Sequence, residues 1–159
     1  MQDLEGKNAV VVGGGHGICR GIALALADAG MVVAVLHVER DAAEAVASEL
    51  RSRSVRAIGL HADVTNVDYL NAAAREVTHA LGPVHVLSNN AGVVVPQGPI
   101  TAKREADWRF VFEVNLFGIV NCVQTFLPQM RAHGRGGHIV NTSSTAGLVA
   151  IHELSLIHI

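Results

Sequence analysis

The sequence predicts an α/β fold, a doubly wound parallel sheet with helices on both faces. Three observations carry that expectation. Short runs rich in valine and isoleucine recur with little polar alternation, as strands buried on both faces require. Longer segments with apolar residues at helical spacing separate them. A glycine cluster, Gly13-Gly14-Gly15-His16-Gly17, stands between the first such run and the first helical segment. Right-handed crossovers between parallel strands then give a Rossmann-like winding.

The strands are expected at Asn8–Val12, Val32–Leu36, Val55–Leu60, Val84–Ser88 and Gly137–Asn141. The first helix is expected over Ile18–Ala29, with Ile18, Ile22, Ala25, Leu26 and Ala29 on one stripe and Gly30 as its stop. Asp41–Arg51 reads as the second, with Ala42, Ala45, Val46 and Leu50 facing inward. Val67–Leu81 is the third, closed by Gly82-Pro83. A long fourth helix is expected over about Glu105–Arg131, part of its apolar surface turned to another subunit.

Composition bounds the function. The 159 residues amount to one domain or a piece of one, and half are hydrophobic, with mean hydropathy +0.34. A net charge of −2 argues against a general nucleic-acid binder. Cys19 and Cys122 lie far apart and the nine histidines form no His-x-x-x-His pair, so no metal site is expected. The N-terminus shows no signal peptide and no apolar stretch reads as a membrane span. The expectation is a soluble, cytoplasmic protein.

The glycine cluster has a chemical reading in this context. Gly13 allows a tight turn, Gly17 lets backbone approach a pyrophosphate, and the helix starting near Ile18 aims its free N–H groups at the phosphates. With this spacing the chain resembles the short-chain dehydrogenase/reductase family, whose loop reads Thr-Gly-x-x-x-Gly-x-Gly. Here Val12 stands for the threonine and Cys19 for the last glycine, a side chain expected to push the helix outward or narrow the cleft.

Further motifs carry the resemblance over residues 4 to 153. Asp63-Val64, in His61–Asn66, matches the family's Asp-Val, and the resemblance implies that Asp63 accepts a bond from the adenine amino group. Asn89–Gly92 (Asn-Asn-Ala-Gly) is a family signature in which Asn90, Ala91 and Gly92 border the cofactor ribose. Asn115 matches the asparagine that helps hold a water near the catalytic lysine, and Ser144 the serine that bonds the substrate oxygen. The resemblance thus implies an NAD- or NADP-dependent oxidoreductase acting on a small alcohol or ketone, homo-oligomeric at full length. Gly13, Gly15, His16, Gly17, Ile18, His37, Asp63, Val64, Asn90, Ala91 and Gly92 are its expected cofactor-binding residues. His37 replaces the aspartate by which NAD-preferring members repel a 2′-phosphate; Glu39 can supply a substitute carboxylate, whereas Arg40 can instead reach a phosphate.

The family's chemistry also needs a tyrosine and a lysine four residues later. Counted from Ser144, the tyrosine falls at Leu156, Ile157 or His158, and the sequence's one tyrosine is Tyr69. Leu154–Ile159 reads as the translation of a transposase sequencing adaptor. Residues 1–153 are therefore expected to form an incomplete NAD(P)-binding domain, with about five of the family's seven strands, and residues 154–159 a non-native tail. The alternative is a non-catalytic NAD(P)-binding or sensing protein.

Overall fold

The computed structural model describes residues 3–96 and 98–148, so the expected tail lies outside the described residues. Five strands, β1 (Asn8–Val12), β2 (Val32–His37), β3 (Ala57–His61), β4 (Val84–Asn89) and β5 (His138–Asn141), form one parallel sheet in the order β3-β2-β1-β4-β5. Helices α1 (Gly17–Asp28), α2 (Arg40–Ser52) and α3 (Val67–Leu81) connect the first four. The chain moves outward from β1 to β3, then crosses back to β4. The order therefore reverses beside β1, and a cleft opens at the carboxyl ends of β1 and β4. β1 and β4 are buried along their whole length, which is why their sequences show no alternation.

Two faces of the sheet make two cores. On one, Val11, Val33 and Val35 meet Ala23, Ala27, Ala43, Val46, Ala47 and Leu50 of α1 and α2. On the other, Val10, Leu36 and Leu87 meet Leu70, Val77, Phe126 and Met130. The inward stripes differ from the expected ones. Ile18 is 80% exposed, and α1 rests on the sheet through Ala23 and Ala27. On α2, Ala43 and Ala47 face inward in place of Ala42 and Ala45. On α1 small residues win because the approach is close, and on α2 the inward stripe is the one that meets Gly59. A Cβ on Gly59 of β3 would lie 2.5 Å from the Ala43 carbonyl carbon. β3 also starts at Ala57, two residues later than expected, because Val55 N–H instead bonds the Leu50 carbonyl at the end of α2.

The long fourth helix is interrupted. α4 (Glu105–Phe112) and α5 (Gly118–Ala132) are joined by a π-helical turn, Glu113–Phe117. At 28 residues, with mean hydropathy 1.5 in its most apolar window, the run is long and apolar enough to cross a membrane, contrary to the sequence expectation. Its inward side, with Cys122, Phe126 and Met130, covers the sheet as a core helix does. Leu116, Phe117 and Val120 are exposed, as is Phe110.

At the far end of the sheet, β1 and β4 slip register between Asn8 and Ala9. The slip places the buried His85 ring opposite Asn8, and its Nδ1 accepts the Asn8 N–H at 3.2 Å. Burial, then the charges of His133, Arg135 and Lys7, push the His85 imidazole below its ordinary range. A folded-state pKa below the unfolded value means that the unfolded chain takes up the proton first. The contribution of neutral His85 is therefore present above about pH 6.5 and is lost as the pH falls below it. The urea midpoint is expected to drop between about pH 7.5 and about pH 5.5, and to drop less in His85→Gln.

β5 is only partly covered, with Val140 half exposed, and it pairs with β4 on one side. An open strand edge beside an apolar helix face favours self-association. Sedimentation of the 159-residue chain is expected to show concentration-dependent oligomers or aggregates. A monodisperse monomer with a sharp thermal transition contradicts this.

Candidate active site

The cleft has a volume of about 840 Å³. Its floor is the glycine loop and the segment after β4; its walls come from the ends of β2 and β3 and from one side of α4. Gly13 has φ +77°, and a Cβ there would lie 2.8 Å from the Ala91 backbone nitrogen. The loop and the Asn-Asn-Ala-Gly segment therefore touch backbone to backbone. Gly17 has φ +52° but nothing within 4 Å of a built Cβ, so it borders open space. His16, at the N-cap of α1, makes no side-chain cap bond, and the first turn carries no acidic residue. The uncapped N–H groups and the helix dipole fit a phosphate group at this end of the cleft.

The absent threonine hydroxyl has a backbone substitute. Gly13 N–H and Gly14 N–H both donate to the Leu36 carbonyl, at 2.8 and 3.1 Å, tying the loop to β2. Cys19 is part of the cleft wall, its Sγ 3.8 Å from the Asn90 carbonyl oxygen. Burial raises its thiol pKa, so the side chain behaves as a small neutral group.

Asn90 spends its side chain on the protein. Its Nδ2 donates to the Val12 carbonyl (3.2 Å) and to the Ser88 carbonyl (2.9 Å). Its Oδ1 accepts from Ser88 Oγ (3.2 Å) and Thr142 Oγ1 (2.6 Å). One amide thus fastens β1, β4 and the exit of β5, and Asn90 can meet a ligand only through its backbone. Asn89 makes a parallel tie, its Nδ2 donating to Asn141 Oδ1 at 2.9 Å.

Asn115 is similarly committed. Its Oδ1 accepts the Val93 N–H at 2.8 Å and its Nδ2 donates to the Val93 carbonyl at 2.9 Å. It sits in the π-helical turn, where the widened ladder re-aims side chains and carbonyls. Gly118, at the end of that turn, lets the helix press on Val64, whose Cγ2 would be 2.6 Å from a Cβ there. Val64 and Asn115 are thereby joined through one helix, although the sequence separates them.

Asp63 lines the cleft beyond β3, its Oδ1 held by Thr65 N–H and Oγ1–H at 2.9 and 2.7 Å. The α3 cap falls to Asn66, which leaves Asp63 free of that task. His37 closes the end of β2 above Gly15, and its Nδ1 accepts the Glu39 N–H at 3.0 Å. Burial, then the neighbouring His16, lower its pKa. Ser144 is exposed and caps a 3-10 turn, Thr145–Gly147, with its Oγ accepting the Ala146 N–H at 3.2 Å. Ile18, expected at the phosphates, offers its position at the helix start, while its side chain points to solvent.

Sequence reasoning missed the α4 wall. Arg109 and Phe110 of α4, and Glu113 and Val114 of the π-helical turn that follows it, border the cleft together with Asp63 and Val64. Their helical pattern reads as core or subunit contact, and nothing in it marks a ligand. Tyr69 lies at the start of α3, edge-on to His61 at 4.8 Å. It belongs to the β3 edge, four strand spacings, or about 19 Å, from the β5 edge that carries Ser144.

Fold and cleft together define a dinucleotide-binding α/β domain of the doubly wound type. The family profile described as short chain dehydrogenase matches residues 7–156, and the chain belongs to that family. A 3-oxoacyl-[acyl-carrier-protein] reductase, FabG, from Staphylococcus aureus is 38% identical over 144 residues, covering 90% of this chain and 58% of the relative. A C alpha-dehydrogenase from Sphingobium is 34% identical over 149 residues, covering 94% and 49%. Among solved structures, a short chain dehydrogenase/reductase from Burkholderia phymatum in complex with NAD superposes with TM-score 0.92 at 35% identity, covering 99% of this chain and 56% of that one. The apo form of LigO from Sphingobium gives TM-score 0.93 at 36% identity, covering 99% and 58%. The chain thus spans about half the length of the curated relatives it matches.

The Asn90 network gives a stability test. Asn90→Ala strips the buried Val12 and Ser88 carbonyls of a donor and is expected to cost about 2–3 kcal/mol in urea unfolding. A loss below about 0.5 kcal/mol, typical of a surface substitution, contradicts this role.

Proposed function

We propose that this chain is the cofactor-binding portion of an NAD(P)-dependent oxidoreductase acting on a small alcohol or ketone, and that the 159 residues alone do not turn over. The observation that carries the reading is the cradle at Gly13. There two backbones meet with no room for a Cβ, beside uncapped N–H groups of α1. Such a surface suits a pyrophosphate.

The bound nicotinamide would supply hydride transfer. The chain's residues supply placement. Gly13, Gly15, Gly17 and the start of α1 at Ile18 hold the phosphates; Asp63 and Val64 border the adenine; Ala91, Gly92 and the Asn90 backbone border the ribose. Ser144 accepts one N–H, so its hydroxyl hydrogen is free to donate to a substrate oxygen. Asn115 is a positioning residue, fixing the Val93 loop through two bonds. Proton transfer to and from the substrate falls to a tyrosine with lowered pKa. Tyr69, on the far edge of the sheet, is not placed for it. That placement supports inactivity of these residues alone, and equally the second reading, a cofactor-binding chain without turnover.

NADH fluorescence is expected to report binding to the purified chain, with no alcohol oxidation or ketone reduction. Turnover that disappears in Ser144→Ala overturns the proposed inactivity. Source DNA with Tyr-x-x-x-Lys in frame beyond Glu153 supports the oxidoreductase; its absence favours the second reading.

A further inference from the structure

The exit of β5 carries Ser144, and few bonds hold it in place. Thr142, the first residue beyond the strand, continues the ladder with its N–H on the Asn89 carbonyl at 2.9 Å. Past Thr142, the hydrogen bonds among the described residues are local. Ala146 N–H donates to Ser144 Oγ, Gly147 N–H to the Ser144 carbonyl and Leu148 N–H to the Thr145 carbonyl. Ala146 is buried, but Thr142, Ser143, Ser144 and Thr145 are exposed.

One side-chain bond joins this exit to the floor of the cleft. Thr142 Oγ1 lies 2.6 Å from Asn90 Oδ1. The other end of the amide fixes the direction of that bond. Asn90 Nδ2 faces the Val12 and Ser88 carbonyls, which can only accept, so Oδ1 stands toward Thr142 and the threonine hydroxyl donates. Thr142→Val would leave Oδ1 with Ser88 Oγ alone, at 3.2 Å.

The same amide belongs to the backbone cradle. A Cβ on Gly13 would lie 3.2 Å from the Asn90 carbonyl carbon, so Asn90 cannot shift without disturbing the glycine loop. The cleft lining, among the described residues, includes Asn90 and leaves out Thr142. Thr142 therefore stands behind the floor, between the glycine loop's partner and the serine.

We propose that Thr142 is a positioning residue that couples cofactor occupancy to the placement of Ser144, a reading that rests on the cofactor site above. A dinucleotide lying on the backbone of residues 90–92 holds the Asn90 amide still. The Thr142 hydroxyl passes that order to the β5 exit, two residues before Ser144. Linkage makes the effect reciprocal: an exit tied by Thr142 presents a preorganised Asn90 and tightens cofactor binding by the same factor. The substrate oxygen then meets an ordered serine once the cofactor is in place.

The test is amide hydrogen exchange on the 159-residue chain, with and without saturating NADH. Residues 142–147 are compared with residues 138–139 at the start of β5. NADH is expected to slow exchange in 142–147 about fivefold, the scale of one net hydrogen bond, and to leave 138–139 unchanged. Thr142→Val is expected to lose that slowing and to bind NADH about fivefold more weakly by fluorescence titration. Thr142→Ser keeps the hydroxyl and is expected to retain both. A merely structural role would speed exchange in Thr142→Val with and without NADH and preserve the difference between them. A difference preserved in Thr142→Val, or absent from the wild-type chain while NADH binds, overturns the coupling and leaves the cofactor site standing. If Thr142→Val yields no folded protein, the wild-type pattern decides: slowing confined to 142–147 supports the coupling, and slowing shared equally by 138–139 overturns it. NADH that binds neither the wild-type chain nor Thr142→Ser overturns the cofactor site and the coupling together.

Discussion

The backbone contact between Gly13 and Ala91 is the constraint on which the site depends. Two strands of a parallel sheet run side by side at about 4.8 Å, and the turns that leave them normally diverge. Here the turn after β1 and the segment after β4 are held in contact with no space for a methyl group. The Asn90 amide enforces that approach by binding the last carbonyl of β1 while remaining on the β4 exit. Because Thr142 donates to the same amide, the exit of β5 is fixed to the same point. A floor made of backbone follows, and with it an opening that faces the free end of α1.

The second wall is set by the interrupted helix. Asn115 lies in the π-helical turn between α4 and α5. That turn delivers the Asn115 amide to both main-chain groups of Val93, and Gly118 allows the same turn to rest on Val64. The segments after β3 and β4 are thus clamped from one helix. Local departure from the regular ladder is offset by these contacts, as is common where helices border a site.

Polar groups are used differently at the two ends of the sheet. At the end away from the cleft, the β1–β4 register slip leaves an N–H that the neutral His85 ring accepts, within a setting of His133, Arg135 and Lys7 that opposes its protonation. At the cleft end, the histidines beside Glu39 are exposed or partly exposed. One residue type is structural in the first setting and open to a ligand in the second. Burial makes the difference.

The sequence by itself determined the elements and most of the cleft floor. Valine-rich runs buried on both faces and a glycine cluster between strand and helix have few other foldings, so strand positions, the parallel sheet and Gly13, Asn90–Gly92 and Asp63 as cleft residues were legible. Tertiary structure decided what depends on close approach. On α1 close approach to the sheet let Ala23 and Ala27 displace Ile18, and on α2 the contact with Gly59 brought Ala43 inward in place of Ala42. The break at Glu113–Phe117 is where Asn115 meets Val93 and Gly118 meets Val64, residues far away in sequence. The pairing of His16 with Glu39 arises because β1 and β2 end side by side, and the remaining wall arises because the connection from β4 to β5 returns α4 and the π-helical turn to the cleft. Periodicity records which residues prefer burial, but it does not record which of two distant surfaces will meet, and that was left to the packing of the sheet.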